Sequence, residues 1–432
     1  MKNRGRRLKP TLRAEARATV EAQHTRGLPH YTGSVALTFE QARECVLREV
    51  RPLHGSEPVA LGDAAGRVTA EDVTADRDYP PFPRSARDGF AVRAADLPGE
   101  LRVIGEVRAG ERFAGALEKG QAIEIMTGAP LPDGADAVVM IEHVVVQETA
   151  REGDWIKIDR TAKPGDNFNP RGGEARAGDV VLREGTRLGF AEVAVLAMVG
   201  RQCVTVNRKP RVAILPTGDE IVEAAEQPEE FQIRNSNAMS LAVQVTRAGG
   251  FAQILPIARD NYESTRGLIE RGLAADLLLL SGGVSAGKYD IVERVLADLG
   301  AEFFFDRVLI QPGQPLVFGR VGSKFFFGLP GNPASTMVTF EVFARTAIAI
   351  LEGCADTSLP LLRARLTRDF RHKPGLTRFL PARLSADGTT IEPESWQGSG
   401  DVAALARANA FLVADPDLES YAAGDDIRVL MK

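Results

Sequence analysis

The sequence predicts a multidomain α/β plus β protein, a doubly wound α/β domain accompanied by separate β domains, and three observations carry that prediction. The chain has 432 residues, and domains usually run to ~100–200 residues, so two to four are expected. Residues 211–351 alternate short apolar runs with helical patterns, the rhythm of βαβ units. Residues 79–169 and 361–432 instead carry short Val/Ile-rich runs broken by Gly and Pro, which read as β structure.

Composition narrows the class. Charged residues at 26% and hydrophobic residues at 44% are those of a soluble globular protein. A formal net charge of −5 argues against a general nucleic-acid binder, which carries a basic surplus. The N-terminus departs from this balance, with eight Lys or Arg against Glu15 and Glu21 in residues 1–30. That arm, taken to residue 35, reads as a disordered extension or an early start codon, with an Arg-rich organelle leader as the other reading. It has no apolar core for a secretory signal, and no apolar run approaches the ~18 residues of a membrane span. Cys45, Cys203 and Cys354 stand far apart without a C-x-x-C, so neither a disulfide nor zinc is expected and a reducing cytoplasm fits.

Along the chain, Phe39, Ala42, Val46 and Val50 recur at helical spacing. Short connecting pieces follow to about Val73. From residue 74 to 169 no long helix is expected, and Ala137–Ile141 and Val144–Val146 read as strands. Residues 170–208 resemble residues 36–73 in composition, with a helical patch from Phe190 to Val199 closed by Gly200. A β domain (74–169) inserted between two halves of a linker domain (36–73 and 170–208) explains this order. In the α/β region, 209–355, strands are expected at Val212–Leu215, Phe251–Ile257, Leu277–Leu280 and Phe325–Phe327. Helices are expected at Ala238–Ala248, Tyr262–Ala275 and Ile291–Leu299, and from about Pro333 to Leu351. The remainder, 356–432, with turns such as Ala386-Asp387-Gly388, suggests a small β-barrel.

Ligands of doubly wound sheets bind beyond the C-terminal strand ends, and there the polar residues collect. Asp219, Glu220, Asp260, Asp290 and Asn332 each follow closely on a strand, so they should converge on one crevice. The segment Asp276–Asp290 runs an apolar strand into Ser281-Gly282-Gly283, whose amides and following helix point positive charge at an anion. Gly282 to Lys288 spells G-x-x-x-x-G-K, but Tyr289 stands where a P-loop needs Ser or Thr for magnesium. A phosphate loop of another kind, or a Gly-rich turn that only packs helix on sheet, both fit. Acidic groups beside an anion loop call for a hard divalent cation, most simply magnesium with oxygen ligands. The alternative is that each acid is an N-cap for the next helix.

Several blocks go further. Pro80–Asp96 (PPFPRSARDGFAVRAAD), Ile125–Glu142 (IMTGAPLPDGADAVVMIE), Pro216–Ile221 (PTGDEI) and Ile233–Leu241 (IRNSNAMSL) form one series, continued by Ser281–Asp290 (SGGVSAGKYD), Gln311–Gly319 (QPGQPLVFG) and Gly328–Ser335 (GLPGNPAS). In this order they resemble the MoeA family, also represented by the gephyrin E domain, from about residue 36 onward. The resemblance implies a homodimer of four-domain subunits whose α/β domain binds molybdopterin. It implies insertion of molybdate into adenylylated molybdopterin with release of AMP, in the cytoplasm. The alternatives weighed beside it are a molybdopterin adenylyltransferase-like enzyme and a non-catalytic scaffold. Partners it suggests are the adenylylating enzyme and molybdoenzyme maturation proteins.

By the same resemblance, Asp88 and Thr127 belong to the inserted domain's side of a cleft shared between subunits. Glu220, Asp260 and Asp290 lie on the α/β side, the last two holding Mg2+. Ser281, Gly282, Gly283 and Ser285 would cradle phosphate, Gly218 belongs to the same binding set, and Pro330, Gly331, Asn332 and Pro333 would shape the pterin or oxyanion pocket. Arg307 and Ser399 complete the expected binding set. The chain departs from the pattern at Gln311 and Gln314, where family members often carry Lys, and at Pro381, aligned with an Arg; Arg378 or Arg383 could substitute.

Overall fold

The computed structural model describes residues 36–145, 152–283 and 291–432, and these fall into two compact units, 58–206 and the rest. The basic arm and residues Ser285, Lys288 and Asp290 lie outside the described residues.

Unit 58–206 is built on a five-stranded sheet, β1 (Gly89–Val92), β2 (Gly99–Val107), β3 (Gln121–Ile125), β4 (Ala137–Met140) and β5 (Trp155–Ile158), in the order β4-β1-β3-β2-β5. Alternation sends Phe90, Val92 and Val139 into one core and Ala91, Ile123 and Val138 into another, so both faces are covered. Val144–Val146, expected as a strand, is not one over the described residues: a 3-10 turn occupies Ile141–His143 and Val145 makes a lone bridge to Lys157. The segments that precede and follow the five-stranded sheet share one core. Val73, Tyr79, Leu188, Leu196 and Val206 pack together, and Val73–Thr74 pairs with Val180–Leu182.

The other unit begins with α1 (Phe39–Glu49), started by a reciprocal capping box between Thr38 and Gln41. Phe39 meets Phe343 and Phe379 edge-on, which fixes this helix in the core of its own unit. The central sheet has six strands: β6 (Arg211–Pro216), β7 (Phe251–Ile254), β8 (Leu277–Ser281), β9 (Glu302–Phe305), β10 (Val317–Val321) and β11 (Lys324–Leu329). Their order is β7-β6-β8-β11-β10-β9. The first four are parallel, and β10 pairs antiparallel with both β11 and β9. The sequence does not predict the antiparallel edge β9–β10. Its Phe-rich runs lack the following helix that marks each parallel strand.

Central strands are apolar throughout because both faces are buried. In β6, Val212 and Ile214 face one core and Ala213 and Leu215 the other; β8 repeats this with Leu277 and Leu279 against Leu278 and Leu280. Helix α2, in unit 58–206, spans Phe190–Met198. On the central sheet, helix α3 (Ser236–Arg247) packs on the first face with the long segment Pro333–Leu351, and α4 (Tyr262–Gly272) with α5 (Ile291–Asp298) covers the second. Pro333–Leu351 is long and apolar enough to cross a membrane, but 72% of its most apolar window is buried, as for a core helix.

The C-terminal strands β12 (Leu361–Leu366), β13 (Thr377–Leu384), β14 (Thr390–Pro393), β15 (Ala410–Ala414) and β16 (Asp426–Met431) close into a five-stranded barrel. The closing pair is β13 with β15. A short strand at Ile310–Gln311 runs parallel to β13, with Gln311 opposite Arg378, and ties the barrel to the α/β domain.

Candidate active site

Register brings three loops together. Pro216 of β6 is opposite Ser281 of β8, and Ser281 is opposite Leu329 of β11, so Thr217-Gly218, Gly282-Gly283 and Pro330-Gly331 leave the sheet side by side. Backbone bonds lock this row: the Thr217 amide donates to the Ser281 carbonyl at 3.1 Å and the Gly282 amide to the Leu329 carbonyl at 3.1 Å. Glycine is required here. Gly282 has φ of +96°, and a Cβ on it would stand 2.9 Å from the Thr217 carbonyl oxygen.

Above the loops lies a cavity of about 780 Å³. Of the residues expected at the site, Gly218, Glu220, Asp260, Ser281, Gly282 and Gly283 line it, as do Pro330, Gly331, Asn332 and Pro333. Asp290 and Ser285 lie outside the described residues. Arg307 is exposed and does not line the cavity. Ser399 does not line it either; its carbonyl accepts from the Ala334 amide at 2.9 Å, which docks the Gln397–Gly400 loop on the first turn after Pro333.

Among the described residues, the acids Asp219, Glu220 and Asp260 are not helix caps. Asn235 and Asn261 supply the side-chain caps of α3 and α4, so Asp260, one residue before Asn261, keeps its carboxylate free of that duty. The Asp260 amide is instead held at 3.0 Å by the Asp219 carboxylate. Asp219 and Glu220 precede a short strand, Ile221–Val222, rather than a helix. Among the described residues no three His, Cys, Asp or Glu side chains form a metal-binding group. Glu220 and Asp260 nevertheless bring oxygen donors to one cavity, the type a hard divalent cation prefers.

Sequence reasoning missed further polar residues of the cavity. Asn235, Asn237, Thr217, Thr265, Arg234 and Arg294 also line the cavity. Asn237 Nδ2 donates to Ser281 Oγ at 3.0 Å and to the Gly331 carbonyl at 2.7 Å, bridging two of the three loops. The signal was present in Ile233–Leu241, a polar stretch opening a helix after a capping Asn, but spacing alone does not say which side chain turns inward. Between the cavity residues Val292 and Arg294 in sequence, burial and the nearby negative Asp306 push the Glu293 carboxyl up to about 7.

At Gln311 the expected lysine is absent, and Arg378 Nη1 donates to the Gln311 side-chain oxygen. Burial lowers the Arg378 pKa, and its Nε is buried without a hydrogen-bond partner among the described residues. Arg383 is engaged elsewhere, with Glu394 at 3.3 Å and the Arg407 carbonyl at 2.6 Å. Of the two candidate substitutes, Arg378 is the one that reaches the Gln-Pro-Gly-Gln-Pro loop, whose Pro315 lines the cavity.

In unit 58–206, Asp88 and Thr127 meet each other. The Asp88 carboxylate accepts from the Thr127 amide at 2.6 Å and from its hydroxyl at 2.9 Å. The Thr127 backbone and side-chain hydrogen bonds hold the Asp88 carboxyl below the usual carboxylate range.

Comparison with known proteins follows this layout. Residues 37–200 match the family model described as the MoeA N-terminal region (domain I and II), 213–350 a probable molybdopterin binding domain, and 363–431 the MoeA C-terminal region (domain IV). A molybdopterin molybdenumtransferase of Staphylococcus epidermidis is 33% identical over 383 residues, 86% of this chain and 90% of that one. The Staphylococcus aureus enzyme of the same name is 31% identical over the same span. The molybdopterin biosynthesis moeA protein of Pyrococcus horikoshii OT3 superimposes with a TM-score of 0.73 at 30% identity, covering 92% of this chain and 100% of that one.

Proposed function

The chain belongs to the MoeA family of molybdopterin molybdenumtransferases, and from that premise we propose that the cavity at the strand ends is where adenylylated molybdopterin takes up molybdate and releases AMP. The protein is a transferase of molybdenum cofactor biosynthesis, with molybdopterin and molybdate as substrates. The observation that carries this reading is the extent of the likeness, which runs from residue 37 to residue 431. An adenylylating enzyme needs only the α/β unit and leaves the inserted and C-terminal regions without a purpose.

In this reading Ser281, Gly282 and Gly283 present a hydroxyl and loop amides to the phosphates, and Gly218 leaves room for them. Pro330 to Pro333 form the wall against the pterin. Magnesium suits the oxygen donors of the cavity and is assigned to Asp260 and Asp290, with Glu220 nearby; when bound, it offsets the negative charge of the phosphoanhydride. The charge for molybdate, carried by lysines in other family members, comes from Arg378 acting beside Gln311. Asp88 and Thr127 act on the same substrate from the second subunit of a homodimer. The support for this is their mutual contact in a segment matched to the family's N-terminal region.

Purified protein given adenylylated molybdopterin is expected to release AMP only when molybdate and magnesium are both added. No release with both present, or equal release without molybdate, overturns the reading.

A further inference from the structure

The strand-end cavity also carries an apolar ledge. Ile221–Val222 and Ile233–Arg234 form a two-stranded parallel ribbon in which Ile221 is the register partner of Ile233, so the two isoleucine side chains share one face. Both residues line the cavity. Val222, next along the strand and so on the opposite face, is buried. The ribbon is fixed from several sides. The Ile233 amide donates to the Glu220 carbonyl at 2.8 Å and the Asn235 amide to the Val222 carbonyl at 2.9 Å. Arg259 Nη1 donates to the Asp219 and Ile221 carbonyls, each at 3.1 Å, which ties the ribbon to the loop after β7.

Ile233 is nevertheless 58% exposed. A single apolar side chain in solvent is ordinary, but two β-branched side chains set side by side on a fixed ribbon within a cavity make a surface that gains by being covered. Neither side chain carries a donor or an acceptor, so the group that covers them is an apolar face and not a charge. The substrate of the proposed reaction has two flat faces of this kind, the pterin and the adenine ring. The Pro330–Pro333 wall is already given to the pterin.

Resting on the functional reading above, we propose that Ile221 and Ile233 form the adenine subsite. The purine lies flat on the ledge, and the two side chains set how tightly adenylylated molybdopterin and its product AMP are held. Because the contact is apolar, it reads the presence of the ring rather than the pattern of its substituents.

The test separates the base from the rest of the nucleotide. AMP and ribose 5-phosphate, which lacks the base, are titrated calorimetrically into the full chain and into Ile233→Ala and Ile233→Thr, the second keeping the β-branch that suits a strand. The parent protein is expected to bind AMP roughly tenfold tighter than ribose 5-phosphate and each variant by less than about threefold, with the affinity for ribose 5-phosphate unchanged. A parent protein that binds AMP no tighter than ribose 5-phosphate overturns the proposal whether or not the variants fold. A preference that survives unchanged in a folded variant overturns it too, as does an equal loss of both ligands, which marks a general disturbance of the cavity. 6-Hydroxymethylpterin is titrated in parallel and is expected to bind all three proteins alike; a loss confined to it gives the ledge to the pterin and overturns the assignment. AMP release is assayed on the same parent sample. Release without a preference for AMP over ribose 5-phosphate sinks this inference alone, whereas no release sinks the functional reading.

Discussion

At the scale of single residues, two carboxyl groups with different surroundings make opposite predictions. Asp260 stands free in the cavity wall, its amide tied to Asp219 and its neighbour Asn261 doing the capping. Asp260→Asn removes a charge without removing core, so AMP release is expected to fall at least ~100-fold, about 2.7 kcal/mol of barrier, with the melting temperature unchanged. Activity within about twofold of the parent protein would take Asp260 out of the mechanism. Glu293 behaves otherwise, because its folded-state pKa is raised from 4.5 to about 7 by burial and by Asp306. A raised carboxyl favours the folded state fully below its unfolded value, and that contribution is lost as pH climbs through about 7. Thermal melts at pH 5 and pH 8 should show this loss, on the order of 1–3 kcal/mol given partial exposure, and Glu293→Gln should abolish it. An identical pH profile in the variant would mean the carboxyl stays charged in the folded protein.

At the scale of elements, the loop row after β6, β8 and β11 depends on backbone approach that only glycine permits. Gly282→Ala forces a Cβ toward the Thr217 carbonyl at 2.9 Å in a left-handed conformation, a strain of ~1–3 kcal/mol. Because Thr217 and Gly218 line the same cavity, the strain should appear as weaker AMP binding alongside a lowered melting temperature. A variant that melts lower yet binds AMP as tightly would show that the loop packs helix on sheet and holds no phosphate, the alternative that the loop's sequence leaves open. Helix α1 provides a contrast: its Thr38–Gln41 capping box lies far from the cavity residues in sequence and serves stability only.

At the scale of the whole molecule, the barrel and the α/β domain meet where Gln311 runs beside β13. If Arg378 supplies the missing charge there, Arg378→Ala should raise the molybdate concentration for half-maximal rate by roughly tenfold, the value of a charge-assisted hydrogen bond. Arg383→Ala, whose guanidinium is spent on Glu394 and Arg407, should leave it unchanged. Equal effects of the two would point to general barrel stability. The second test concerns the proposed homodimer. Asp88→Ala and Asp260→Ala are each expected to be inactive, but mixed and allowed to exchange subunits they should regain activity approaching about a quarter of the parent level, since each mixed dimer rebuilds one cleft of two. Mixtures that stay inactive after demonstrated exchange would place both residues in one subunit's site.

What the sequence determined by itself is the alternation of α/β elements and the residues that end each strand, because both are written in local patterns. Apolar runs such as Leu277–Leu280 have no polar side to turn outward, so they must be central strands, and glycines at 282 and 283 mark where the chain turns. Asp88 and Thr127, which stand in two separate motif blocks, are bonded to each other. Only the tertiary structure decided the rest. The antiparallel edge β9–β10 carries no periodicity that differs from a parallel strand. Arg378 and Arg383 stand on one strand with the same charge, and packing alone sends one to Gln311 and the other to Glu394. Asn237 looks like any polar residue in a helix's first turn. Its bridging of Ser281 and Gly331 exists because register places those two loops side by side, and register is a long-range property that no local pattern encodes.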